Sequence, residues 1–240
     1  MKIRRFARMV AFVIMCIAIA AVVNSICYKK LEPISKSVRS LTELKSFWDA
    51  ELQPIIGDKI VVAKSPYPEI NARFDQINSM IVKESGKALS IDMSTNYNWA
   101  DVRVEASSGI VESNTTRVIE LYMPAIADTF DLLKNSGKEK WHEAFVSHVY
   151  VLFMHEMEHQ TAMHERPTAI DIREESRAWI DTCRYTIAPL AETYHLALLN
   201  GDGNFYQAWK LANGNPTNTH WLSAINSRYS EFDRRTNAPK

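Results

Sequence analysis

Two spacings of apolar residues alternate along this chain, and the place where one gives way to the other divides it. Residues 41–52 carry apolar side chains at helical intervals. Residues 59–63, Lys-Ile-Val-Val-Ala, read as a short strand, and 68–82 as a helix with Pro68 in its first turn. Segments 88–93 and 101–106 alternate apolar and polar, as half-buried strands do, and Asn96, Asn98 and the Ser107-Ser108-Gly109 cluster act as turn signals. The clearest strand is 115–123, where Val118, Ile119, Leu121 and Tyr122 are strong β-formers. Pro124 ends it, and a short helix over 126–133 closes at Asn135-Ser136-Gly137.

From Trp141 onward the helical period takes over. It predicts helices over 141–164, stopped before Pro167, then 172–199 with a bend at Pro189, then 205–212 and 221–232. Asn200-Gly-Asp-Gly-Asn204 reads as a turn. Strands followed by helices are the α+β order. A single domain over 29–240 is expected, with its sheet within about 41–137 and a helical half over 138–240.

Residues 1–28 stand apart. Lys2, Arg4, Arg5 and Arg8 precede an unbroken apolar run from Met9 to Val23. Cations followed by such a run are the pattern of a secretory signal or an N-terminal membrane anchor. Ala18-Ile19-Ala20 fits a cleavage site and Val23-Asn24-Ser25 fits less well, so both cleavage and anchoring stay open. The expected location is outside the cytoplasm: periplasmic, secreted, or anchored and facing the non-cytoplasmic side. Cys27 and Cys183 would pair only in an oxidising compartment, and two free thiols are the simpler reading. No CxxC spacing occurs, which argues against cysteine-ligated zinc. Lys and Arg total 28 and Asp and Glu total 28, so no basic footprint for nucleic acid exists.

The chemistry concentrates in Val151-Leu-Phe-Met-His155-Glu156-Met157-Glu158-His159, which contains H-E-x-x-H. Residues four apart lie on one helix face, so His155 and His159 can hold one ion. Glu156 is rotated about 100° from His155 and stands beside that ion, placed to take a proton. The apolar stretch just before the motif buries the helix. Two buried histidines and a glutamate need a reason to be there, because unpaired polar groups are costly in a core.

On this motif the chain resembles the zincin metallopeptidases. The resemblance covers about 115–187 and implies a zinc ion, Zn2+, with a third protein ligand. Glu175, in Glu175-Ser-Arg-Ala178 on the next helix, matches the gluzincin pattern of a downstream Glu. Glu174 beside it is an alternative. Glu165 falls at the metzincin spacing, although Ala162 stands where that pattern has glycine. Asp171 is the aspzincin-like option. In a departure from the thermolysin-like pattern, Trp179 stands four residues after Glu175, where an acid is usual; Asp181, the nearest downstream acid, shares a face with Glu174.

The resemblance also implies that residues 117–122 form an edge strand that pairs with extended substrate backbone. Tyr185, Tyr194, His195 and His220 could serve as oxyanion donors, although aromatic core packing is the role expected of each. The activity implied is zinc-dependent hydrolysis of a peptide or protein substrate, with Glu156 as general base. The alternative is a catalytically silent, exported zinc-binding or interaction module held at the membrane by its N-terminal segment.

Overall fold

In a computed structural model of the chain, the structure describes residues 39–57, 65–95, 106–111, 116–161 and 172–236. From Arg39 onward these residues belong to one compact unit. The cationic apolar segment 1–28, the expected strand 59–63 and most of the expected strand 101–106 lie outside the described residues.

Helix α1 (Leu41–Phe47) starts where Ser40 and Glu43 form a reciprocal capping box: the Glu43 N–H donates to Ser40 Oγ and the Ser40 N–H to Glu43 Oε2. It runs through a π-helical turn (Trp48–Leu52) into α2 (Gln53–Ile56), which stops at Gly57 with φ 85°. Helix α3 (Pro68–Ser85) places Ile70, Phe74, Ile77 and Ile81 on one buried face and ends at Gly86, in the left-handed region.

Strands β1 (Ser90–Ser94), β2 (Ala106–Val111) and β3 (Thr116–Tyr122) form a mixed sheet in the order β1-β3-β2. β1 runs parallel to β3, with Ser90 opposite Val118, and β2 runs antiparallel to it, with Ala106 opposite Leu121. Two expectations change here. β3 is the centre of the sheet and both its edges are paired, so residues 117–122 are not free to take up a substrate strand. Ser107-Ser108-Gly109, read as a turn, lies inside β2, where cross-strand bonding to β3 overrides the local turn preference.

Helix α4 (Met123–Lys134) follows β3 directly, with Pro124 in its first turn. Helix α5 (Trp141–Gln160) is the centre of the molecule. It is buried on almost every side and touches α2, α3, α4, β2, β3 and α6 (Ile172–Thr182). Such enclosure suits a helix with no consistent polar face. After α6 the bonding pattern becomes π-helical over Cys183–Ile187 and again over Pro189–Thr193, where the Tyr194 N–H donates to Pro189 O. The helical run ends there, before the expected 199, and His195 takes a positive φ.

Helix α7 (Asn200–Leu211) starts five residues earlier than 205 and absorbs the predicted turn. Its Asp202 is 2% exposed and lies 2.8 Å from Nδ1 of His148 on α5, an anchor that offsets the poor helix propensity of Gly201 and Gly203. Helix α8 (Thr219–Thr236) completes the chain. The architecture is α+β, mostly helical with a small mixed sheet, and among the described residues every strand falls within 41–137. Cys183 is a fully buried free thiol. Among the described residues no helix is long and apolar enough to cross a membrane.

One buried ion pair fixes α3 to α5. Arg73 grips Glu158, which has no exposed surface, through Nε to Oε1 at 2.7 Å and Nη2 to Oε2 at 2.6 Å. Its guanidinium also lies 4.2 Å from the Tyr185 ring centre. Truncating one partner of such a pair strands the other charge. Arg73→Met should therefore lower stability by about 3–5 kcal/mol in denaturant unfolding. A loss below about 1 kcal/mol, the level of an exposed pair, would contradict this role.

Candidate metal centre

The last two turns of α5 carry His155, Glu156 and His159, and the first turn of α6 carries Glu174 and Glu175. The helix dipoles suit this meeting, because carboxylates are favoured at a helix N-terminus and cationic groups at a C-terminus. Arg177 locks the two ends together. Its Nη2 donates to Glu158 O at 2.9 Å and its Nη1 to Thr161 Oγ1 at 2.7 Å, adding to the bonds that Thr161 itself makes to the Glu158 carbonyl. Ser176 accepts a hydrogen bond from Trp221 Nε1 at 2.8 Å and ties α6 to α8.

Three donor atoms converge. Nε2 of His155 lies 3.2 Å from Nε2 of His159 and 3.2 Å from Oε2 of Glu175, and Nε2 of His159 lies 3.5 Å from the same oxygen. Two imidazoles and a carboxylate are a hard-to-borderline donor set that suits zinc. Four donors placed tetrahedrally at 2.0–2.1 Å from an ion stand about 3.3–3.4 Å apart. The observed triangle has edges of that length, so these residues fit a zinc ion without rearrangement of the backbone.

Of the other sequence candidates, Glu174 lies among the described residues. Glu174 meets the far side of the His159 ring, with Oε1 3.2 Å from Nδ1. A carboxylate only accepts, so Nδ1 carries a proton, which leaves Nε2 as the atom that would meet an ion in the triangle. This is the arrangement in which an outer carboxylate orients a metal-binding histidine. Glu165 and Asp171 lie outside the described residues. Glu156 is 7% exposed and close enough to act on the charge of His159.

The electrostatics separate the two histidines. Burial pushes His155 down to about 4, against the opposing pull of Glu175, so its ring is neutral at pH 7. Burial alone would lower His159 too, but Glu174 and Glu175 bonded to its ring, with Glu156 nearby, raise it to about 10. Burial would raise the Glu175 carboxyl, but the two imidazoles outweigh it and hold it far below its ordinary range. The cluster thus favours positive charge at its centre, and a dication would take the place of the proton on His159.

Among the described residues, none of the four possible oxyanion donors contacts the donor triangle. Tyr185 lies under Arg73, Tyr194 donates to Glu69, and His195 and His220 are exposed. Two residues that sequence reasoning missed do belong to the site. Tyr229 donates to Oε2 of Glu175 at 2.5 Å, and Trp179 stacks on His155 with ring centres 4.3 Å apart. Tyr229 lies 54 residues from Glu175, in no motif, so local spacing could not point to it.

No family model matches the sequence, and no match was found among curated proteins or solved structures.

The geometry separates the acids by experiment. Glu175→Ala should weaken zinc binding more than any other acid substitution. Glu174→Ala should weaken it about tenfold by freeing the His159 ring, and Glu165→Ala should leave it unchanged. Competition with a chromogenic chelator reads all three. Equal affinity in wild type and Glu175→Ala would remove Glu175 from the ligand set, and a preferential loss in Glu165→Ala would move the site to the metzincin-like arrangement.

Proposed function

We propose that this chain is a zinc-dependent peptidase of gluzincin-like type that works outside the cytoplasm. The observation that carries the reading is the donor triangle of His155, His159 and Glu175, with edges of 3.2, 3.2 and 3.5 Å. The export part of the proposal rests on the cationic, apolar pattern of residues 1–28.

A zinc ion bound there would supply a Lewis acid that polarises a carbonyl and lowers the pKa of water. The chain's own residues do the rest. His155 presents a neutral nitrogen, His159 on the same helix face would give up its proton in favour of the ion, and Glu175 closes the third corner from the next helix. Glu156 projects from the same turn as His155 and accepts the proton of the attacking water. It then returns that proton to the leaving amine, so a single carboxylate serves as base and then as acid. The burial of His155 and Glu156 strengthens each electrostatic contact there.

Glu156 distinguishes this from a silent zinc-holding module, which has no use for a base. Glu156→Gln keeps the size of the side chain and one acceptor oxygen but removes the proton acceptor. It should fold normally, keep about one zinc per chain and lose about 10²–10⁴-fold in peptide cleavage across a proteome-derived peptide library. His155→Ala should lose the metal as well. A zinc-loaded wild type that cuts nothing in a broad library would favour the silent module. A Glu156→Gln variant as fast as wild type would remove the mechanism.

A further inference from the structure

We propose that Trp179 and Tyr229 are positioning residues that hold Glu175 and His155 in the donor triangle before any ion arrives. The inference rests on the metal-site reading above and adds residues to it.

A glutamate side chain has enough rotatable bonds to swing its carboxylate out of a site, so a fixed oxygen needs a second partner. Oε2 of Glu175, the oxygen that faces both imidazoles, accepts a hydrogen bond from the Tyr229 hydroxyl at 2.5 Å. That hydroxyl accepts in turn from Trp179 Nε1 at 2.7 Å. An indole N–H only donates, so it occupies the acceptor side of the tyrosine oxygen and leaves the hydroxyl proton directed at the carboxylate. The chain Trp179 to Tyr229 to Glu175 therefore has a single direction.

Trp179 acts a second time, on His155. The two rings stack at 4.3 Å with 29° between their planes. Among the described residues, Nδ1 of His155 is buried without a hydrogen-bond partner, whereas His159 has Glu174 at the equivalent atom. Metal-binding histidines ordinarily have their second nitrogen held by an acceptor. Here the stacked indole orients the ring in place of that bond. Trp179 is itself fixed by stacking on Phe205 at 4.2 Å, with 6° between planes. It lies four residues after Glu175 on the same face of α6, the position where the family pattern has an acid. An aromatic group that touches one ligand directly and the other through Tyr229 replaces that acid.

Ordinary core packing is the competing account, and it predicts a different outcome, because Tyr229→Phe keeps the ring and removes only the hydroxyl. The test measures zinc affinity of the full chain by competition with a chromogenic chelator. It compares wild type, Tyr229→Phe, Trp179→Phe, Glu175→Ala and the Tyr229→Phe/Glu175→Ala double variant. Tyr229→Phe should weaken zinc binding about 10–100-fold and should add no further loss once Glu175 is alanine. Trp179→Phe retains a stacking ring without the donor and should weaken binding by a smaller factor. The inference is overturned if Tyr229→Phe binds as tightly as wild type, or if it weakens binding equally with and without Glu175. A wild type that binds zinc while Tyr229→Phe matches it overturns this inference alone. A wild type that binds no zinc overturns the metal reading and this inference together.

Discussion

The structure depends on one constraint: α5 is enclosed on nearly every side, yet it carries polar groups into the core. A buried polar group without a partner costs several times what a hydrogen bond contributes. Most of these groups recruit a partner on another element, although Ser147 Oγ, His155 Nδ1 and Gln160 Oε1 stay unpartnered among the described residues. His148 takes Asp202 and anchors the start of α7. Glu158 takes Arg73 and anchors α3. Gln160 donates to Val118 O and anchors the central strand. His155 and His159 take the acids at the start of α6. The tertiary arrangement is to a large extent the solution to satisfying the polar groups of one helix.

The candidate site is where that satisfaction has a different character. At His148 and Glu158 one buried group meets one partner of opposite character, and the result is a structural tie. At the end of α5 two imidazoles and a carboxylate crowd within 3.5 Å of one another, with a second carboxylate behind one ring and a hydroxyl behind the acid. Two buried imidazole nitrogens this close are poorly satisfied by a shared proton and well satisfied by a cation between them. The arrangement is a preformed donor set on two clamped helix ends. Rigid helices, rather than loops, set its dimensions, which would favour precise placement of the proposed metal and of the proposed base beside it.

Much of this was legible in the sequence where the determinant was local. H-E-x-x-H defines its own geometry on any helix, and Glu175 follows on the next helix within a short span. Helices α3 and α5, and strands β1 and β3, follow from apolar period. The errors share a cause. Gly201 and Gly203 read as a turn, but the buried Asp202 to His148 bond pulls that segment into α7. Ser107 to Gly109 read as a turn, but pairing with β3 extends it. β3 read as a free edge, although strand order is not written in any one strand. Tyr229 was missed because its link to Glu175 spans 54 residues. In each case a contact distant in the sequence outweighed a local preference.

The central claim is that the end of α5 and the start of α6 hold a zinc ion through two imidazoles and one carboxylate. X-ray absorption at the zinc edge of the purified protein tests it most directly. The account predicts a shell of nitrogen and oxygen donors alone, about four in number, at about 2.0–2.1 Å, with the multiple scattering of two imidazole rings. A sulfur shell near 2.3 Å, or a hydrated ion with no imidazole signature, would contradict it.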